Sequence, residues 1–271
     1  MNKSLRLSRL FNFSTRRTFI IPMDHGTTLG PIEGINDYMK TLKIIDTSEA
    51  NAVVLHKGSI KKMIQLDKSV RQGIIMHMSA STNLIKGDMK AQVADVEEAI
   101  RMGCDGVSVH LNLLEHSPMN VLSDLGRISS KCDEWGMPLL VMVYGQNPSD
   151  YHETIRLLKV VQELGADIIK ISYSGQFESL KGYIDALHVP VVLSGGEIEP
   201  SFEVTTHRVF MALENGFSGV AFGRNIFSDG SIALKSYILS KAIHQNWSEE
   251  ECREYYREHN DCGKRYIVAS L

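Results

Sequence analysis

The chain has 271 residues, 43% of them hydrophobic and 23% charged, with a formal net charge of −3. That length is close to the ~250 residues of a single eight-unit α/β barrel, and the slightly acidic balance argues against a nucleic-acid partner. No apolar run approaches the ~18 residues of a membrane span, so no membrane partner is expected.

The first eighteen residues carry Lys3, Arg6, Arg9, Arg16 and Arg17 and no acid. That bias is found in transit peptides, but Leu5, Leu7, Leu10, Phe11 and Phe13 predict a segment packed under the first strand.

Eight short apolar runs follow, each closed by a polar or glycine-bearing break: 19–23, 52–56, 73–77, 106–110, 138–144, 167–172, 190–194 and 219–223. Continuous apolarity is expected of parallel strands covered on both faces, and the spacing suits a strand-plus-helix repeat. Helical signals fill most gaps. Asp88 is a candidate N-cap for a helix with Val93, Val96 and Ile100 on one face and Gly103 as its stop. Ser117-Pro118 opens a helix ending at Gly136. Ser149 caps one that leads through Ile155, Leu158 and Val161 to Gly165, and Pro200 opens one that ends at Gly216. Ser248 to Glu251 form a capping box for a charged helix running to about His259.

These units predict a (β/α)8 barrel, with an open doubly wound sheet as the alternative. No G-x-G-x-x-G follows the first strand, so the dinucleotide version of the open sheet lacks its fingerprint. No linker divides the chain. It reads as one domain over 1–271, with an N-terminal segment at 1–18 and a helical tail at 246–271. Cys104, Cys132, Cys252 and Cys262 form no C-x-x-C pair and are expected to be reduced, packed thiols of a cytoplasmic protein.

Polar residues gather where the strands end, the rim that carries active sites in barrels. The first run ends in Asp24-His25-Gly26, and the next three end in His56, His77 and His110. The fifth ends in Tyr144. The sixth contains Lys170 within Ile168-Ile169-Lys170-Ile171. Lysine is rarely buried without a partner, and at a barrel mouth desolvation disfavours its ammonium form and frees the amine as a nucleophile. Ser194, Gly195 and Gly196 follow the seventh strand, and Gly223 and Arg224 follow the eighth. Glycine turns there let backbone N–H groups approach phosphate oxygens, and Arg224 can add a charged contact. His25, His56, His77 and His110 raise a rival, a metal-dependent lyase or hydrolase. A non-catalytic sugar-phosphate binder is a third reading.

Pro22-Met23-Asp24-His25-Gly26, Leu55-His56-Lys57-Gly58, Tyr144, Ile169-Lys170 and Gly223-Arg224-Asn225-Ile226-Phe227, in that order and spacing, make the chain resemble the archaeal-type class I fructose-bisphosphate aldolases. That family also contains the aminodideoxyheptulosonate synthases. The resemblance implies a barrel, a Schiff-base lysine, no metal or other cofactor, and a homo-oligomer. It implies an iminium on Lys170 with a ketose phosphate such as dihydroxyacetone phosphate, and proton transfer by Tyr144 and Asp24. His25, Ser194, Gly195, Gly196, Gly223 and Arg224 would bind substrate. Glyceraldehyde 3-phosphate and aspartate semialdehyde are both open as acceptor. Two departures stand out. Gly145-Gln146-Asn147 replaces a common Pro-Arg-Gly, and Glu197 and Glu199 follow the double glycine where a basic residue is usual.

Overall fold

Each of the eight apolar runs forms a parallel strand, and its neighbours supply the hydrogen bonds that a buried backbone requires. The computed structural model describes residues 2–84, 90–112, 118–227 and 230–266, the side chains of 118–119 and 261–266 excepted. The strands are β1 (Thr18–Pro22), β2 (Ala52–Leu55), β3 (Gly73–His77), β4 (Gly106–Asn112), β5 (Leu139–Tyr144), β6 (Ile168–Ile171), β7 (Val191–Ser194) and β8 (Gly219–Ala221). They close into a barrel in the order β1-β8-β7-β6-β5-β4-β3-β2, so the open sheet is not the fold.

Alternation along each strand divides the core in two. Ile20, Ala52, Val54, Ile75, Leu140, Met142, Ile168, Val192 and Ala221 point into the barrel. Their neighbours Phe19, Ile21, Val53, Val141, Val143 and Ile169 face the surrounding helices. Those helices are α2 (Tyr38–Asp46), α3 (Lys57–Gln65), α4 (Val96–Arg101), α5 (Pro118–Trp135), α6 (Tyr151–Glu163), α7 (Phe177–Asp185), α8 (Phe202–Glu214) and α9 (Ile232–His244). On α6, Thr154, Leu157, Leu158 and Val161 form the buried stripe that the 3.6-residue period requires. Gly165 then takes φ +89°, a conformation open to glycine, and turns the chain into β6.

Several helix starts differ from expectation. Asp95 caps α4 through the Glu98 N–H. Asp88 lies outside the described residues, as does Ser117, and Val93 precedes the helix. Asp150 caps α6 through the Glu153 N–H, because Ser149 instead donates its hydroxyl to Asn147 Oδ1 at 2.7 Å. Ser201, one residue after Pro200, caps α8. The capping box forms as expected: Ser248 N–H donates to Glu251 Oε2 at 2.6 Å, and Glu251 N–H to Ser248 Oγ at 3.2 Å. Its helix, α10 (Glu249–Tyr266), runs past His259 and packs on α8 and α9. Cys252 is buried there, and the tilted rings of Tyr256 and Phe202 pack with centroids 4.5 Å apart.

The N-terminal end of the barrel is plugged. Helix α1 (Ser4–Leu10) lies under it and inserts Leu10 among the inward-facing strand residues, while Leu5 and Phe13 stay exposed. Lys3 sits between Asp133 (2.6 Å) and Asp167 (2.7 Å), and Arg9 pairs with Asp105 at 2.8 Å. The basic residues of this segment therefore anchor it to the barrel. Cys104, Cys132 and Cys252 are free and buried, and burial pushes their thiols up to about 12. Cys262 lies outside the described side chains. Among the described residues no helix is long and apolar enough to cross a membrane.

Candidate active site

Lys170 shares the parity of Ile168, so its side chain points into the barrel. In register it lies between Met142 of β5 and Val192 of β7. It is 6% exposed, and its Nζ lies 3.8 Å from Met142 Sδ, a weak acceptor. Tyr144, two residues beyond Met142, rises on the same inward row.

Asp24 leaves β1 beside a group of imidazoles. His77 Nε2 lies 3.7 Å from Asp24 Oδ2 and His25 Nδ1 3.9 Å from Oδ1. Burial alone would push the Asp24 carboxyl up. His77, His25, Lys170 in its ammonium form and His56 outweigh it and hold the carboxyl below the usual carboxylate range. His77 is buried and fixed by Ser108, Nδ1 to Oγ 2.8 Å, and burial pushes it down to about 4. At neutral pH it is therefore uncharged. Burial also lowers His25 and His110. The rings of His56, His77, His110 and Tyr144 follow one another round the rim, with successive centroids 5.2, 5.8 and 4.6 Å apart.

The β7 and β8 turns are held together by Asn225. Its Nδ2 donates to the carbonyls of Gly195 (3.1 Å) and Glu197 (3.0 Å), and its Oδ1 accepts from Glu199 N–H at 2.7 Å. Arg208 binds Glu199 at 2.5 Å and the Gly195 carbonyl at 3.1 Å. Glu199 is thus engaged by a cation of its own. Gly223 must lack a side chain: a Cβ there would meet the Pro22 carbonyl at 2.6 Å and His25 Cε1 at 2.7 Å. After β5, Glu153 accepts the N–H groups of Gln146 (2.7 Å) and Asn147 (2.9 Å), which binds the divergent loop to α6.

Asp24, His25, Tyr144, Lys170, Ser194, Gly195, Gly196, Gly223 and Arg224 all line one cavity of about 460 Å³ at the C-terminal mouth. His77 and His110 line it too. His56 does not: it bonds Thr27 Oγ1 at 3.0 Å and faces a neighbouring hollow. Among the described residues no three His, Cys, Asp or Glu side chains are grouped to hold a metal ion. Sequence reasoning missed Asn225 as the clamp, and Lys90, Ser81 and Asn112 on the cavity wall. The Asn-Ile-Phe after Arg224 hinted at the first. An isolated lysine in a loop carries no periodic signal.

A family model described as DeoC/LacD family aldolase matches residues 18–229. The chain is 36% identical over 258 residues to the 2-amino-3,7-dideoxy-D-threo-hept-6-ulosonate synthase 1 of Archaeoglobus fulgidus, covering 94% of this chain and 96% of that protein. It is 33% identical over 257 residues to the 2-amino-4,5-dihydroxy-6-oxo-7-(phosphonooxy)heptanoate synthase of Streptomyces griseus, covering 93% of each. An archaeal fructose-1,6-bisphosphate aldolase, solved with its catalytic lysine bound to a carbinolamine intermediate, superposes with TM-score 0.79 at 22% identity. That match covers 89% of this chain and 99% of that one.

Proposed function

This chain belongs to the DeoC/LacD aldolase family and is an aldol-type enzyme; we propose that it forms a carbon–carbon bond through a Schiff base on Lys170, joining dihydroxyacetone phosphate to aspartate semialdehyde. The observation that carries this reading is one buried lysine facing a cavity that also holds Asp24, Tyr144 and two glycine turns with Arg224. The product named for the Streptomyces griseus relative supports the substrates. Breaking its bond between carbons 4 and 5 gives a three-carbon ketone phosphate and a four-carbon 2-amino acid aldehyde.

In this mechanism the amide groups of the β7 and β8 turns, with Arg224, hold the phosphate, and the distance from phosphate to carbonyl sets the ketone against Nζ. The free amine attacks the carbonyl carbon, the carbinolamine loses water, and a cationic iminium forms. Tyr144, on the neighbouring strand, supplies and recovers the protons that water loss requires. The iminium draws electrons from the adjacent carbon, whose proton passes to the Tyr144 phenolate left by water loss, and an enamine forms. The enamine carbon attacks the aldehyde, and the developing alkoxide takes a proton. Tyr144, protonated in the previous step, is the source of that proton; Asp24, held as a carboxylate between its imidazoles, relays it to the new hydroxyl and accepts it back when the bond is cleaved. Hydrolysis of the iminium releases product and restores the amine.

Lys170→Met tests the reading. Turnover is expected to fall roughly 10⁴-fold or more, as when a covalent nucleophile is removed, with the circular dichroism of the folded protein retained. A folded variant that keeps a tenth of the activity would contradict it.

A further inference from the structure

The cavity has two cationic walls, and the mechanism uses one. Among its described lining residues the only acid is Asp24, while the cations are Lys170, Arg224 and Lys90. Arg224 follows β8. Lys90 lies in the connection between β3 and β4, and in the order β1-β8-β7-β6-β5-β4-β3-β2 those strands are across the mouth from β7 and β8. With the donor's phosphate at β7 and β8 and its carbonyl at Lys170, the acceptor has to extend towards the far wall.

Lys90 is held there by local structure. Ser79–Ala80 and Ala91–Gln92 form a short antiparallel ribbon in which Ser79 pairs with Gln92 and Ala80 with Ala91. The next position in that register sets Ser81 opposite Lys90, and Nζ donates to Ser81 Oγ at 2.5 Å. Ser81 Oγ also lies 3.2 Å from Thr28 Oγ1, and Ser79 Oγ accepts the His110 N–H at 3.1 Å. The ammonium is thus tied through hydroxyls to Ser81 and Thr28, in the segments that follow β3 and β1. Its charge is felt at His77 and His110, which it helps to keep neutral. The loop after β5 offers no competing cation: it reads Gly145-Gln146-Asn147, and Glu153 already accepts the N–H groups of Gln146 and Asn147.

We infer that Lys90, with Ser81 bonded to it and Asn112 lining the same cavity, binds the carboxylate of the acceptor aldehyde and selects for it. A single ammonium with a hydroxyl bonded to it and an amide in the same cavity suits a carboxylate, whereas the phosphate wall opposite combines a guanidinium with two backbone turns. The inference rests on the aldol reading above.

The test compares two matched pairs of acceptors with dihydroxyacetone phosphate as donor: succinate semialdehyde against butyraldehyde, and glyceraldehyde 3-phosphate against glyceraldehyde. For the wild type, kcat/KM is expected to favour succinate semialdehyde over butyraldehyde by roughly 10-fold or more, the scale of a charge-assisted hydrogen bond. Lys90→Met should lower that ratio about 10- to 100-fold, and Lys90→Arg should keep most of it. An unchanged ratio in Lys90→Met overturns the inference. So does a wild-type ratio near one, which needs no variant to fold, or a collapse confined to the phosphate pair. Deuterium exchange into dihydroxyacetone phosphate without aldehyde separates the two readings. Exchange by the wild type with ratios indifferent to Lys90 sinks the inference alone, while no exchange sinks the donor chemistry and the inference with it.

Discussion

At the N-terminal end of the barrel Lys3 lies between Asp133 and Asp167 and Arg9 meets Asp105, so these two cations have acids of their own. At the C-terminal end Lys170, Lys90 and Arg224 face a cavity whose only described acid is Asp24. The same strands run between both ends. Paired charges and an inserted leucine make the first a closed floor, and hydroxyls, imidazoles and three cationic side chains around a cavity are the features on which the proposed anion binding at the second rests. A barrel's stability and its chemistry can thus reside at opposite ends, and the contrast can be broken experimentally from either side.

The largest effect on the floor should come from Leu10→Ala. Leu10 is 1% exposed among the inward strand residues, and its truncation is expected to cost about 2–5 kcal/mol of stability. Chemical denaturation measures the loss. Below the melting transition kcat should stay within about threefold, since distant sites act nearly independently. A large loss of kcat in the folded variant would mean that floor and mouth are coupled.

A smaller effect comes from protons. Burial pushes His77 at the mouth and His244 at the floor down to about 4, from an unfolded value near 6.5. Between these values the unfolded chain binds protons that the folded chain refuses, so stability falls as pH drops through that window, by up to roughly 3 kcal/mol for buried His77 and by less for the partly exposed His244. His244 bridges Thr15 Oγ1 (3.2 Å) and Asn51 Oδ1 (2.9 Å). Denaturation of the wild type and His244→Gln at pH 7, 5.5 and 4.5 should show a shallower decline in the variant. Equal slopes would contradict the assignment.

Much of this architecture was legible in the sequence, because strand periodicity and helix stops are local. Gly73 to His77 forms a strand over the expected bounds, and Lys170 follows the parity of Ile168 into the barrel. The N-caps of α4 and α6 were misplaced because several side chains compete within a few residues, and only backbone geometry selects Asp95 and Asp150. The histidines were visible singly. Their arrangement was not: strand register puts His56, His77, His110 and Tyr144 in ring contact, yet turns His56 out of the cavity. Lys90 was missed because its position depends on a two-residue ribbon that leaves no pattern in composition. Glu199, which looked like a negative intrusion into the phosphate site, is taken up by Arg208, a residue of α8 with no sequence link to it.

A covalent bond between Lys170 and the ketose is the step on which the proposed chemistry turns. Borohydride added to enzyme and dihydroxyacetone phosphate should reduce the iminium, inactivate the enzyme, and leave the substrate's mass on the peptide carrying Lys170. An unmodified Lys170 peptide in enzyme that turns over normally, or an adduct confined to another lysine, would contradict it.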